Sequence, residues 1–540
     1  MISGAEIMVK CLEAEGIKVV FGYPGATICP FYDKIYDSSI KHILVRQEQN
    51  AAHAASGYAR CSGKPGVCVA TSGPGATNLI TGIATAYTDS IPLVAITGQV
   101  RSDLLGRDVF QEADITGACE PFVKHSYIVK NTADLPRVFK EAFHIASTGR
   151  KGPVLIDIPM DIQENEIEEF VYPEKVNILG YKPNTKGHAI QVKRAVEAIK
   201  KSKRPIIVSG GGVLLSGVKP KFQAFADKTR IPVISTMMGI GVMPSEHEMY
   251  LGMLGTHGKR VANRALHVAD LVIVCGARLG DRAVAAPHQM SENNTVIHID
   301  IDPAEIGKNV KTEIPIVGDM KNVMNMLVEE IGDYQVPNQW QETVKTWKKE
   351  LFRVPPVFDG FVEPRTLVSR LSSMLRSKAI LVADVGQNQI WCANNFRIRE
   401  GRFLTTGGMG TMGYSIPAAV GAKFARPTRD VVVVCGDGSF QMGMNELATI
   451  AGNNLGIKII IMRNHRLGMV RELQDNHYDG RHSATVLQGD PDFLKIADAY
   501  GIDHAEANSN EEAEEIIKNM VKSDKPFILV CNVYPDTPSI

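Results

Sequence analysis

Apolar runs without polar alternation recur along the whole chain. KVVFG, HILV, GVCVAT, LVAITG and VLIDIP precede residue 165; RPIIVSGGG, PVISTMMG, DLVIVCGARL and TVIHIDID occupy the middle; AILVADVG, DVVVVCGDG, IKIIIMRN and PFILVCNV lie toward the end. A strand that is apolar on both faces is buried on both faces, the condition of a parallel sheet covered by helices. The segments between the runs carry helical spacing. The pattern therefore predicts an α/β protein of three doubly wound parallel-sheet domains, at residues 1–165, 186–333 and 362–530. A chain of 540 residues is also too long for one core. Two charged, proline-bearing stretches read as linkers: ENEIEEFVYPEKVNILGYKPNTKG, and the segment from YQVPNQWQE to RVPPVFDGFVEP. The opening residues, MISGAEIMVKCLEAEGIKVVFGYPG, predict an amphipathic helix running into a strand, without the basic and apolar regions of a secretion signal.

Charge narrows the expected partners. Lys plus Arg and Asp plus Glu number 59 each, and without a basic stripe there is no case for nucleic acid. No apolar run reaches the ~18–20 residues of a membrane helix. The nine cysteines are scattered, odd in number and lack a CxxC pair, which fits a reducing compartment and predicts a cytoplasmic enzyme.

Candidate chemistry gathers at strand ends. In GDGSFQMGMNELATIAGNNLGIKIIIMRNHRLGM, from Gly436 to Met469, Asp437 follows one apolar strand and Asn464 the next, with a helix expected over 445–452. Ligands of open α/β sheets bind at these carboxyl ends. An Asp carboxylate and an Asn carbonyl are hard oxygen donors suited to Mg²⁺, and Gly436, Gly438 and Ser439 let backbone N–H groups approach an anion, so a metal with a diphosphate is expected here. In the first domain Glu48 follows HILV at the start of an Ala-rich helix, where it also suits the helix dipole. TSGPGATN, Thr71 to Asn78, is a strand-to-helix turn of the same kind.

Taken together these pieces are more specific. GDG with Asn464 placed 27 positions beyond the Asp resembles the thiamine-diphosphate-binding motif, and Glu48 with SGPGATN resembles the pyrimidine-binding domain of the same enzyme superfamily. The run GYARCSGKPGVCVATSGPGATNLITGIATAYTDSIPLVAITGQV and the segment VFQEADI are similar to biosynthetic acetolactate synthase (acetohydroxyacid synthase) catalytic subunits. The resemblance extends over essentially the whole chain. It implies thiamine diphosphate, Mg²⁺ and a FAD with no net redox task. It implies further that Glu48 exchanges a proton with the cofactor's pyrimidine N1′, as a buried carboxyl of raised pKa, and so makes the 4′-imino group a base. Gly410 in TTGGMGTMGY would accept from the 4′-amino group, and Met412 would hold the cofactor bent. Asp437, Asn464 and the Arg466 carbonyl would ligate the metal, with Gln387, Asn388, Gly438 and Ser439 on the diphosphate. On the flavin would stand Arg150 in TGRKGPVLIDIP, Gly211 and Gly212 in SGGGV, His257 in GMLGTHGKR, Arg278 in GARLGDR, Asp300 in DIDPAEIGKN, and Asp319. By themselves, His53 and His257 read as residues that pack or cap.

The same resemblance implies decarboxylative condensation of pyruvate with a second 2-oxoacid, giving 2-acetolactate or 2-aceto-2-hydroxybutyrate for branched-chain amino-acid synthesis. Gln111 and Lys124 match residues near the substrate channel. A homodimer or homotetramer is expected, each site pairing the first domain of one subunit with the third of another, with a possible regulatory small subunit. The chain departs from the family's pattern in three places: Asn388 where histidine is usual, Gln47 in Arg46-Gln47-Glu48-Gln49 where the family reads R-H-E-Q, and Leu473 where a tryptophan lines the second-substrate pocket. Two alternatives stay open. One is another thiamine-diphosphate enzyme, a flavin-linked pyruvate oxidase or a 2-oxoacid decarboxylase, which VFQEADI disfavours. The other is a catalytically silent homologue that regulates a partner, against which Glu48, Asp437 and Asn464 together speak.

Overall fold

A computed structural model describes residues 1–540, apart from the side chains at 288, 289 and 293. The apolar runs form three six-stranded, wholly parallel sheets. The first runs from Val19–Gly22 to Pro153–Pro159, the second from Pro205–Ser209 to Ile314–Val317, and the third from Ile380–Ala383 to Phe527–Asn532. Numbering strands within each sheet in chain order, the first and third share the order 2-1-3-4-6-5, whereas the middle sheet has 3-2-1-4-5-6. That last order is the one associated with dinucleotide binding, at the crevice where the strand order reverses. In the middle sheet the reversal lies between the paired strands Pro205–Ser209 and Leu271–Cys275, directly before Gly210–Gly212 and Gly276–Arg278. In the third it lies between Ile380–Ala383 and Val431–Gly436, directly before Asp384 and Asp437.

The first and third domains dock through two helices, Glu48–Ser62 and Ser415–Ala425. Each contributes a glycine at the crossing: a Cβ on Gly57 would overlap the Ala418 carbonyl, and one on Gly421 the Ala54 carbonyl. Ala-rich faces around them let the backbones approach, and one apolar core runs from the first domain's Ala51, Ala54 and Ala55 into Ala418, Ala419 and Ala422 of the third.

Three expectations need correction. The stretch at 164–187 is not a loose tether, because Glu166–Ile167 pairs antiparallel with Ile2–Ser3 and Tyr172, Ile178 and Tyr181 pack on the first core. Within the second supposed linker, Asn338–Glu350 is a helix whose Trp340, Val344 and Trp347 fall on one face and join the middle core. After Gly436 the chain turns helical at once, over Asp437–Gly443, then passes through a 3₁₀ turn, Met444–Glu446, into Leu447–Gly452. The helix expected over 445–452 is thus the second of two.

Candidate active site

The tips of the third sheet's central strands are joined through Asp437. Gly436 and Met462 are register partners, so the residues that follow each strand lie side by side. Asp437 Oδ2 accepts from the backbone N–H of Asn464 at 3.1 Å and of His465 at 2.6 Å, while Oδ1 accepts from Gly438 at 3.0 Å. Asn464 Oδ1 accepts from the Arg466 N–H at 3.1 Å, and its Nδ2 donates to Gln387 Oε1 at 2.9 Å. Gln387 is held in turn by Glu472 Oε1 and the Thr537 carbonyl, both at 2.8 Å. A Cβ on Gly468 would overlap Gln387 Oε1, so a larger residue there would push this amide away from Asn464. Burial pushes the Asp437 carboxyl up to about 6, with the Asp490 charge adding to the rise against the backbone donors. Oxygen atoms of Asp437 and Asp490 and a ring nitrogen of His465 lie within 4.8 Å of one another, a spacing that a cation can bridge.

In the first domain, Glu48 opens its helix with its carboxylate over the SGPGATN turn. Oε2 accepts from Asn78 Nδ2 at 2.9 Å, and a Cβ on Gly75 would stand 3.4 Å from Oε1. Gly73, at φ +57°, lies against the backbone of Gln111, itself left-handed at φ +59°. The segment carrying Glu48 is gripped from the third domain, where the buried Glu446 accepts from the Arg46 N–H at 2.7 Å and from Asn50 Nδ2 at 2.9 Å.

Between the domains runs one cleft of about 980 Å³. It is lined by Arg150 of the first domain, by Gly211, Gly212, His257, Arg278, Asp300 and Asp319 of the middle one, and by Gly410 and Leu473 of the third. Gly212 and Gly276 meet backbone to backbone at the middle sheet's switch point, where a Cβ on either would come within 2.8 Å of the other's Cα. Arg150 bonds Glu305 at 2.7 Å, Asp302 at 3.2 Å and Ser90 at 3.0 Å. The second oxygen of the buried Glu305 has no partner, and burial raises the Asp300 carboxyl to about 6. Gly410, at φ +65°, has open space where a side chain would stand.

The chain matches three family models in sequence: the thiamine pyrophosphate enzyme N-terminal TPP binding domain over residues 2–118, the central domain over 192–327, and the C-terminal TPP binding domain over 384–531. It is 45% identical to a probable acetolactate synthase large subunit of Methanocaldococcus jannaschii, covering 98% of this chain and 91% of that one. The acetolactate synthase large subunit of Lactococcus lactis is 43% identical over 98% of this chain and 92% of its own, and that of Haemophilus influenzae 44% over 93% and 89%. The chain belongs to the acetolactate synthase large-subunit family. It is accordingly a member of the thiamine-pyrophosphate-dependent enzymes, and no helix among the described residues is long and apolar enough to cross a membrane.

Within this family member the expected site residues fall into groups. Arg150, Gly211, Gly212, His257, Arg278, Asp300, Asp319, Gly410 and Leu473 share the cleft. Asp437, Asn464, Arg466, Gln387 and Gly438 share the strand tips, with the Met412 methyl 3.9 Å from where a Cβ on Gly438 would be. Five of the expected residues have their polar groups engaged or placed in ways the sequence did not announce. Lys124 does not face the cleft: its ammonium is held by the Ile145 carbonyl, by the Thr148 carbonyl at 2.7 Å and by the Tyr181 hydroxyl at 2.9 Å, and burial lowers it to about 8. Asn388 directs Nδ2 to the Asp384 and Val434 carbonyls, leaving only an acceptor oxygen toward Gly436, the wrong polarity for a phosphate. The Ser439 hydroxyl is spent on Gly436, and the Gly438 N–H on Asp437. Glu48, for which the resemblance implies a buried carboxyl, is half-buried within this chain. His53 is fully buried, edge-on to Tyr414, as a packing residue.

Several residues escaped the sequence reading: His465 and Asp490 beside Asp437, Glu446 beneath Glu48, and Asp302 and Glu305 on Arg150. His465 adjoins Asn464, and Asp302 and Glu305 lie within DIDPAEIGKN, so these carry a local signal; Asp490 and Glu446 come from segments that only folding brings to their partners.

Proposed function

We propose that this protein is an acetolactate synthase: it condenses pyruvate, with loss of CO₂, with a second 2-oxoacid, pyruvate or 2-oxobutyrate, giving 2-acetolactate or 2-aceto-2-hydroxybutyrate for branched-chain amino-acid synthesis. The observation that carries the reading is the single cleft that runs from the dinucleotide-type switch point of the middle sheet to Gly410 and Leu473 of the thiamine-pyrophosphate domain. The donor set fits the implied groups. Asp437, Asn464 and the Arg466 carbonyl would supply the oxygen ligands that Mg²⁺ prefers. The glycine contact of Gly212 with Gly276, together with the unpartnered buried oxygen of Glu305, fits a long polar ligand bearing hydrogen-bond donors, such as FAD.

Thiamine diphosphate, when bound, supplies the nucleophilic carbon and the electron sink for decarboxylation. The chain's own groups orient and exchange protons. Glu48, fixed by Asn78 and by the Glu446 grip on its helix start, would move a proton at the pyrimidine nitrogen; the Gly410 carbonyl would accept from the cofactor's amino group; Gln387 holds Asn464 in place. Leu473 faces the cleft and offers a narrow apolar contact to the acceptor 2-oxoacid. The resemblance pairs the first domain of one subunit with the third domain of another at each site, so the working unit is a homodimer at least, with the site shared across subunits. The large-subunit name borne by relatives points to a regulatory small subunit as a further partner. The test is pyruvate consumption with product analysis: acetolactate is expected, and acetaldehyde or acetyl phosphate as the main product refutes the reading in favour of a decarboxylase or oxidase.

A further inference from the structure

The loop that carries Gly410 belongs to the third domain, yet it is pinned on both flanks by the first. Ahead of Gly410, the backbone N–H groups of Gly407 and Gly408 donate to Asp89, at 3.2 and 2.9 Å on Oδ1. Behind it, the Thr411 hydroxyl meets the Thr85 hydroxyl at 2.7 Å. Thr85 lies within the helix Ile80–Thr88, and Asp89 is its C-terminal cap. Asp89 is buried, and its other oxygen takes a 2.6 Å ion pair from Arg60, whose second nitrogen binds the Thr405 carbonyl at the root of the same loop. The loop packs closely against its neighbours: a Cβ on Gly408 would lie 2.6 Å from the Thr88 Cβ, and one on Gly407 would lie 2.5 Å from the Met238 sulfur. Residues 407–410 are otherwise exposed, so these anchors set the direction of the Gly410 carbonyl.

We propose that Asp89, with Thr85, is a positioning residue that holds the 407–411 loop so that the Gly410 carbonyl meets the amino group of bound thiamine diphosphate. The inference rests on the reading of Glu48 and Gly410 given above, and it assigns no contact between Asp89 and the cofactor. A preorganised acceptor needs no reorganisation during proton transfer, which is why a loosened loop costs rate more than binding.

The test compares holoenzymes of parent, Asp89→Asn, Thr85→Val, Thr85→Ser and Glu48→Gln. Three readouts are taken: deuterium exchange at the cofactor's C2 position, the near-ultraviolet circular dichroism of its amino and imino tautomers, and flavin content. Amide exchange of Gly407 and Gly408 in the cofactor-free protein is measured alongside. The expected result is C2 exchange slowed by roughly 10²-fold in Asp89→Asn and about tenfold in Thr85→Val, with Thr85→Ser near the parent and KM for pyruvate within about twofold. The imino band should weaken while flavin content stays at the parental level, and the Gly407 and Gly408 amides should lose protection. If Asp89→Asn fails to fold because Arg60 is left unpaired, the Thr85 pair decides. Parental C2 exchange in Asp89→Asn or Thr85→Val, when Glu48→Gln has lost it, overturns the proposal. Parental exchange in Glu48→Gln instead overturns the reading of the site, and the proposal with it.

Discussion

Asp157 offers a test of how burial and hydrogen bonding compete in the first domain. It lies within the strand Pro153–Pro159, fully buried, with Thr97 donating to Oδ1 at 2.7 Å and Gln99 to Oδ2 at 2.9 Å. Gln99 also donates to the Ala113 carbonyl at 2.8 Å, which ties the network to the loop bearing Gln111. Burial outweighs the two donors and raises the carboxyl from its ordinary 3.8 to about 7, with Asp114 adding a like charge. In the unfolded chain Asp157 loses its proton first, so between those values the native state binds more protons and stability falls as pH rises. At roughly 1.4 kcal/mol per pH unit the whole loss is about 4 kcal/mol, of which about 2 falls between about pH 5.5 and about pH 7.5. Asp157→Asn removes the titration at the cost of one hydrogen bond, about 1 kcal/mol, so it should stabilise the domain by about 2–3 kcal/mol near pH 8. The three tryptophans, at 340, 347 and 391, lie outside this domain and would miss the event. Amide exchange of peptides covering Leu93–Gln99 and Pro153–Pro159 reports it directly, and the difference between parent and variant cancels the intrinsic pH dependence of exchange. If that difference is flat across the range, Asp157 is not held protonated and the ranking of burial over donors is wrong.

Three further outcomes are expected. Glu48→Gln keeps shape and the Asn78 contact but loses the titrating proton, so turnover should fall by ~10²–10⁴ with unchanged melting; near-parental rates at saturating cofactor refute its role. Asp437→Ala should abolish thiamine diphosphate and Mg²⁺ binding, measured by titration calorimetry, while flavin content is retained; equal loss of both cofactors would indicate unfolding instead. Leu473→Trp, in a cleft position where a broader apolar wall can grip one more methyl, should raise the preference for 2-oxobutyrate over pyruvate by about tenfold, within the ~1–3 kcal/mol of one methylene. A competition assay showing no change means that this position does not face the acceptor.

The three sheets were legible because their central strands are short, largely apolar runs, interrupted only by single polar residues such as Asp157 and Lys458 and separated by helical spacing. Their strand orders were not, since nothing local distinguishes 2-1-3-4-6-5 from 3-2-1-4-5-6. The helix Asn338–Glu350 was hidden by the prolines around it, although Trp340, Val344 and Trp347 carry the spacing of one helical face. Asp437, Asn464 and the glycines were visible as motifs because strand-end chemistry is local in sequence. Lys124 was misplaced for the converse reason: its acceptors, at Ile145, Thr148 and Tyr181, are a helix end and a supposed linker whose packing no pattern announces.

The residues that remained hidden share a physical character. Glu446 reaches Arg46 across 400 positions, and Asp89 reaches Gly408 across 319. Each is a buried carboxylate that one domain places under the functional turn of the other: Glu446 of the third domain under the helix start that carries Glu48, Asp89 of the first under the loop that carries Gly410. A buried carboxylate left without donors costs several kcal/mol; Arg60 serves Asp89 and Thr449 serves Glu446 from within their own domains, and the N–H groups of the opposite turn complete each set in register. The Gly57 and Gly421 crossing brings the two domains close enough, and the reciprocal carboxylates then select one relative placement among those that apolar contact alone would tolerate. Apolar burial supplies the attraction and is non-directional; the two acceptors supply the direction. Sequence motifs name the groups that do chemistry, but their orientation within this chain is set by two acidic residues, Glu446 and Asp89, that stand inside the recognised runs with no local sign of the partners they reach across a domain boundary.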